Sequence, residues 1–288
     1  MGAPSILGGA FGGKSLANKL VSYFRSNSKP KRKAAGIPPD GYSWPKGLSY
    51  DEFFERVHST YLFDWYMEIG CRYGTIFSEV KGKTIAVDPY FQVTKNAVGP
   101  KPALHLFQAT SDDFFANGFL SNNAVKLSVT FLDGMHLVEY LLRDFMNTER
   151  NSHPKGVIAL HDCCPRNFAM TTRDLDNLPE SGWTGDVWKM LPILQKYRPD
   201  LTITVLDCYA TGLVLVSDLD PHNDVLAKNY DAIVKAYTEV DLETFGAKRF
   251  FASFTYTDGQ AYLDAGAVDF ARIALEPGQA LQPQFITP

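Results

Sequence analysis

The chain has 288 residues, of which 45% are hydrophobic and 21% charged. That is enough to bury a substantial core in one large α/β domain with additions, and it excludes global disorder. No apolar run is long enough to span a bilayer, and the net charge of −4 gives no reason to expect a nucleic-acid partner. Cys71, Cys163, Cys164 and Cys208 show no zinc-ligand spacing and read as reduced thiols of a cytoplasmic protein.

Residues 1–48 are Gly-rich, then basic, then Pro-rich: eight Lys/Arg and one acid, Asp40, lie between Lys14 and Lys46. This reads as a solvated leader with one short helix over 15–24 and an extended linker over 26–47. Within it, Gly8 to Ser15 fits the phosphate-loop pattern Gly-x4-Gly-Lys-Ser. That loop needs a buried strand running straight into it. Only Ser5, Ile6 and Leu7 stand there, so a flexible leader is the better reading.

From Ser49 the pattern becomes that of a folded domain, expected over 49–220. Ser49 caps an expected helix over 50–61, with Glu52 in the capping-box position. Short apolar runs at 65–70, 84–89, 104–110, 127–134 and 157–162 alternate with helix-period segments, one of them over 137–149. This alternation implies right-handed βαβ units and a parallel sheet covered on both faces. A helix over 186–197 and strands at 201–207 and 213–217 follow. The gap between these two strands is too short for a parallel crossover, so they should form an antiparallel hairpin. The fold class is therefore α/β: a Rossmann-like, mostly parallel seven-stranded sheet with a C-terminal antiparallel hairpin. Residues 221–288 hold one expected helix over 224–240 and an aromatic and Pro/Gln-rich tail. They could cover the site, mediate homo-oligomerisation or extend the core.

Two constellations carry chemistry. The first is Glu68-Ile69-Gly70-Cys71-Arg72-Tyr73-Gly74 at the end of the first strand, where a tight turn needs Gly at the approach of a ligand. Asp88 ends the second strand, where a carboxylate can accept both hydroxyls of a ribose. Glu68, Gly70, Cys71, Gly74 and Asp88 are the candidate nucleoside site. Asp112 and Asp113, after the third strand, are candidates for the adenine side, although either could simply cap a helix. Asp133-Gly134-Met135-His136 ends the fourth strand and His161-Asp162 the fifth. Neighbouring strands lie ~4.8 Å apart, so Asp133 and Asp162 should be close and need a cation or a proton between them. A divalent ion such as Mg²⁺ suits such ligands.

The pieces Glu68-Ile69-Gly70, Asp133-Gly134-x-His136, His161-Asp162 and Gly185-Asp186-Val187-Trp188 resemble class I S-adenosylmethionine-dependent methyltransferases. The family in question includes macrolide sugar O-methyltransferases and cephalosporin-type antibiotic enzymes, and the resemblance covers roughly residues 60–220. It implies S-adenosylmethionine as cofactor, with Asp133 facing it, and a small-molecule hydroxyl as acceptor. It implies Mg²⁺ on Asp133 and Asp162, with His136 as general base. The chain departs from the family at His161, where the metal-dependent members carry Glu; His161 is kept as a candidate ligand. The middle Gly of the first motif is Arg72. This leaves open a methyltransferase-fold protein that binds without catalysis. The loop 165–185, with Phe168, Arg173 and Trp183, is expected to shape the acceptor pocket.

Overall fold

The computed structural model describes residues 36–180 and 182–276. The phosphate-loop pattern at Gly8–Ser15 and the helix expected over 15–24 lie outside them. Ser49 does cap the first helix, α1 (Tyr50–Thr60): its side chain accepts from the Glu52 N–H at 3.2 Å. The buried apolar runs become β1 (Trp65–Ile69), β2 (Lys83–Val87), β3 (Leu104–Phe107), β4 (Leu127–Leu132) and β5 (Ser152–His161). The hairpin strands are β6 (Thr202–Leu206) and β7 (Leu213–Ser217).

The sheet order is β3-β2-β1-β4-β5-β7-β6-β8. β1 to β5 pair in parallel, and β7 is antiparallel to both β5 and β6, as the short connection requires. The eighth strand, β8 (Tyr256–Thr257), pairs in parallel with β6 at the far edge. Side-chain alternation divides the core between the two faces. Trp65, Met67 and Ile69 of β1 pack into one cluster with Leu141 and Phe145, whereas Tyr66 packs into another with Phe53, Phe54 and Phe131.

From β1 the chain moves one way to β2 and β3, then returns past β1 to β4. The crevice between the carboxyl ends of β1 and β4 is thus the topological switch point, where open α/β sheets bind ligands. The main helices beside it are α2 (Ser111–Ala116) and α3 (Val138–Arg150).

Three expectations are modified. The helix over 186–197 starts as a 3₁₀ turn at Val187–Lys189 and becomes α4 at Met190–Tyr197, with Pro192 in its first turn, where a missing N–H costs nothing. The helix over 224–240 is split into Val225–Lys228 and Tyr230–Tyr237 at Asn229, whose backbone (φ −105°, ψ 6°) leaves the helical region and whose side chain donates to the Val225 carbonyl at 2.8 Å. The described part of the expected linker has no regular helix or strand, but it is docked. Gly47 N–H donates to Asp207 O at 2.8 Å, Tyr209 N–H to Leu48 O at 2.9 Å and the Trp44 indole to Arg166 O at 2.7 Å. C-terminal residues are part of the same core: Leu226, Ile233, Leu242 and Phe250 join the first cluster and Phe270 the second.

Candidate active site

The turn after β1 is built for close approach. Gly70 has φ +88°, and a methyl there would lie 1.9 Å from the Asp133 carbonyl oxygen, so the β1 and β4 turns touch. Arg72, standing where the motif has its middle Gly, still adopts a left-handed φ of +31°. The turn therefore keeps its shape at some conformational cost. Its N–H donates to Asp88 Oδ2 at 2.8 Å, while Tyr90 N–H donates to Oδ1 at 2.6 Å. Asp88 thus ties the β1 turn to the end of β2 and keeps lone pairs for further donors. Burial raises its pKa, and the backbone N–H groups oppose that rise.

Other residues read from the motif sit lower or to the side. The Glu68 carboxyl is buried beneath the turn and accepts from the Tyr66 hydroxyl at 2.9 Å. Burial lifts its pKa to about 8 against the effect of that bond, so at neutral pH it is largely protonated. The Cys71 thiol is buried and donates to Glu68 O at 3.1 Å; burial pushes its pKa far up, so it is no nucleophile. Asp112 lies in the first turn of α2, which Thr110 caps, and the Arg143 guanidinium takes both its carboxylate oxygens at 2.8 and 2.7 Å.

The second constellation does converge. His161 Nδ1 lies 3.0 Å from Asp133 Oδ1 and 3.5 Å from Asp162 Oδ1. His136 Nε2 lies 3.5 Å from Asp133 Oδ1, and its Nδ1 lies 3.3 Å from Asp162 Oδ2. Asp133, His136 and Asp162 can each bring one ligand atom within 4.8 Å of the others, a spacing that could hold a metal ion. His161 is outside that trio and bridges the two carboxylates. Burial works against its charge, but Asp162 and Asp133 outweigh it and raise its pKa to about 9. His136 is raised in the same way, burial being overcome by Asp162 and Asp133. Burial resists ionisation of Asp133, yet the two imidazoles hold it well below the usual carboxylate range. Asp162 has φ +59°, a strained position typical of functional turns.

Three participants carry no motif of their own. The Thr211 hydroxyl, from the β6–β7 loop, donates to Asp162 Oδ1 at 2.6 Å. The Tyr50 ring, in the first turn of α1, lies 4.1 Å from the His161 ring. The Trp183 carbonyl accepts from His136 Nδ1 at 2.9 Å, and the two rings are 5.0 Å apart. The cap signal at Ser49 locates Tyr50 on a helix but gives no hint that its ring meets the fifth strand.

No family model matches the chain, and no curated protein matches it. Its structural neighbours are methyltransferases. The O-methyltransferase from Bacillus cereus in complex with SAH is 11% identical at TM-score 0.45, over 72% of this chain and 91% of that one. TomG from Streptomyces achromogenes, an O-methyltransferase involved in tomaymycin synthesis and bound to SAM, is 14% identical at TM-score 0.42, over 71% and 87%. MycE, from the mycinamycin pathway, in complex with Mg, SAH and mycinamycin VI, is 12% identical at TM-score 0.39, over 60% of this chain and 49% of that one. The chain thus spans about half the length of MycE. At such identities and scores the likeness carries no weight for chemistry, which has to come from the residues just described.

The site has two halves that meet where Gly70 touches Asp133. One half is the backbone turn tied to Asp88, and the other gathers two carboxylates and two imidazoles. Among the described residues no helix is long and apolar enough to cross a membrane.

Proposed function

We propose that this protein is an S-adenosylmethionine-dependent methyltransferase that methylates a hydroxyl of a small molecule. The observation that carries the reading is the juxtaposition at the switch point. Gly70 and Asp88 form a cradle suited to a nucleoside, and directly beside it His136 is held by carboxylates. When bound, the cofactor supplies an electrophilic sulfonium methyl.

The chain's own residues do the rest. Gly70 and Gly74 leave room for the cofactor backbone, and Asp88 accepts from the ribose hydroxyls. A hydroxyl acceptor is a poor nucleophile until it loses its proton, so a base beside it is required. With Nδ1 directed at the Trp183 carbonyl and Asp162, the His136 atom that takes the proton is Nε2. Asp133, 3.5 Å away, stabilises the imidazolium that forms. Much of the acceleration comes from holding the oxygen in line with the methyl.

The donor set of two carboxylates and one imidazole also fits a divalent cation. Asp133 and Asp162 would hold it, and its chemistry would be to lower the pKa of the acceptor hydroxyl. His136 Nε2 cannot serve at once as ligand and as base, so the two carboxylates are the better holders.

Calorimetric titration with S-adenosylmethionine and S-adenosylhomocysteine, with and without divalent ions and with ATP as control, tests the reading. Micromolar binding that is lost in Asp88→Ala is expected. Binding of ATP alone would overturn it.

A further inference from the structure

The run Gly185-Asp186 opens the 3₁₀ turn Val187–Lys189. The Asp186 side chain makes no capping bond to its own helix. It reaches 48 residues back instead: Oδ1 accepts from the Val138 N–H at 2.8 Å and caps the start of α3. Leu137, the residue at that helix's own cap position, has no side-chain oxygen to offer. The same segment grips His136 from behind. Asp186 N–H donates to the His136 carbonyl at 3.1 Å. Gly185, at φ +52°, packs so tightly that a methyl on it would lie 1.7 Å from that carbonyl oxygen.

The Asp186 carboxylate is itself fixed. Its Oδ2 accepts from Arg173 Nη1 at 2.6 Å and from Lys189 Nζ at 2.7 Å. Arg173 also takes both oxygens of Glu139, in the first turn of α3, at 2.7 and 3.0 Å. Two acids and two bases close a charge-balanced knot, with Asp186 and Lys189 buried. A fully satisfied buried network of this kind holds one geometry, whereas a partly satisfied one is costly.

We infer that Asp186 is a positioning residue that fixes the tautomer of His136. This inference rests on the reading of His136 as base. The knot holds residues 183–186 against His136, and this presents the Trp183 carbonyl to Nδ1. Nδ1 faces two acceptors, the Trp183 carbonyl at 2.9 Å and Asp162 Oδ2 at 3.3 Å, whereas Nε2 faces one, Asp133 Oδ1, at 3.5 Å, so Nδ1 carries the proton of the neutral ring and the lone pair stays on Nε2. Without the knot Nδ1 keeps only Asp162 as acceptor and loses the nearer one, so the fraction of neutral rings with the proton on Nε2 rises. Arg173, which the sequence places in the acceptor loop, acts here through Asp186 rather than on the acceptor.

The test is long-range ¹H–¹⁵N correlation of the histidine rings in the ¹⁵N-labelled full chain, with His136 assigned by His136→Gln. Wild-type protein is expected to show neutral His136 as a single Nδ1–H tautomer. In Asp186→Asn a mixture is expected, with S-adenosylhomocysteine affinity changed by less than about twofold, since the Gly70–Asp88 half is untouched. Arg173→Gln, at a half-exposed position, should move the tautomer ratio in the same direction if Asp186→Asn does not fold. An unchanged Nδ1–H tautomer in the folded variants would overturn the inference, as would an Nε2–H tautomer in the wild type. The failure of His136 as base is a separate result, read from the turnover of His136→Gln, and it leaves the tautomer measurement standing.

Discussion

Gly70 and Asp133 are in backbone contact: the carbonyl of Asp133 occupies the space a Gly70 side chain would need, and Asp133 N–H donates to the neighbouring Ile69 carbonyl at 2.9 Å. Through this contact the turn after β1 sets the position of the acid–imidazole cluster. Gly70→Ala must push the two turns apart and also force alanine to φ +88°. A loss of roughly 2–4 kcal/mol is expected, because both the clash and the left-handed backbone oppose the side chain. Denaturant melts would measure it, and calorimetry should find cofactor binding lost even at temperatures where the variant is folded.

Thr211 sets the second carboxylate. Its hydroxyl donates to Asp162 Oδ1, leaving Oδ2 for His136. Thr211→Val keeps the shape and removes the donor, so a buried carboxylate oxygen loses a partner. The expected cost is about 1–3 kcal/mol in a denaturant melt. Thr211→Ser should restore most of it. Valine and serine of equal stability would show that Asp162 does not depend on this bond.

Much of the sheet was legible because its signal is local. The runs at 65–69, 127–132 and 213–217 are mostly apolar and buried on both faces, as strands covered by helices must be, and the short gap between β6 and β7 leaves no choice but a hairpin. β8 has two residues and no pattern of its own; pairing of Tyr256 with Val205 makes it a strand. In the site, the strand ends bring Asp133, His136 and Asp162 together as their spacing implies, and His161 joins them although strand alternation could have turned it elsewhere. Which way a carboxyl turns is not written in the strand pattern. Glu68 accepts from the Tyr66 hydroxyl two residues away, and Asp112 accepts from Arg143, 31 residues away. Thr211 and Trp183 reach the centre only through tertiary contact, 50 residues from His161 and 47 from His136, and no window of sequence contains both partners.

His136→Gln separates chemistry from binding. Glutamine can still bond to the Trp183 carbonyl but cannot take a proton. Methyl transfer from S-adenosylmethionine to catechol, used as acceptor probe, should fall by about 10²–10⁴. S-adenosylhomocysteine affinity by calorimetry should stay within about twofold, since the nucleoside contacts lie on the other strand ends. Parallel losses in both would remove His136 from the role of base.

The buried acids and imidazoles also set how stability changes with pH. Glu68 ordinarily titrates near 4.5 and is lifted to about 8 in the fold by burial. Between these values the folded protein keeps a proton that the unfolded chain has lost, so stability falls as pH rises. His161 ordinarily titrates near 6.5 and is raised to about 9 by Asp162 and Asp133, against burial. Its contribution is complete below 6.5 and is lost as pH climbs through about 9. The two act in the same direction, so the denaturant midpoint should decline steadily from about pH 6 to about pH 9. Glu68→Gln mimics the protonated acid and still offers an oxygen to Tyr66. It should make the decline shallower up to about pH 8 and leave the His161 part, which runs from about pH 6.5 to about pH 9. A midpoint that rises over this range in the wild type would mean that Glu68 is ionised in the fold and that His161 is not the cation between Asp133 and Asp162.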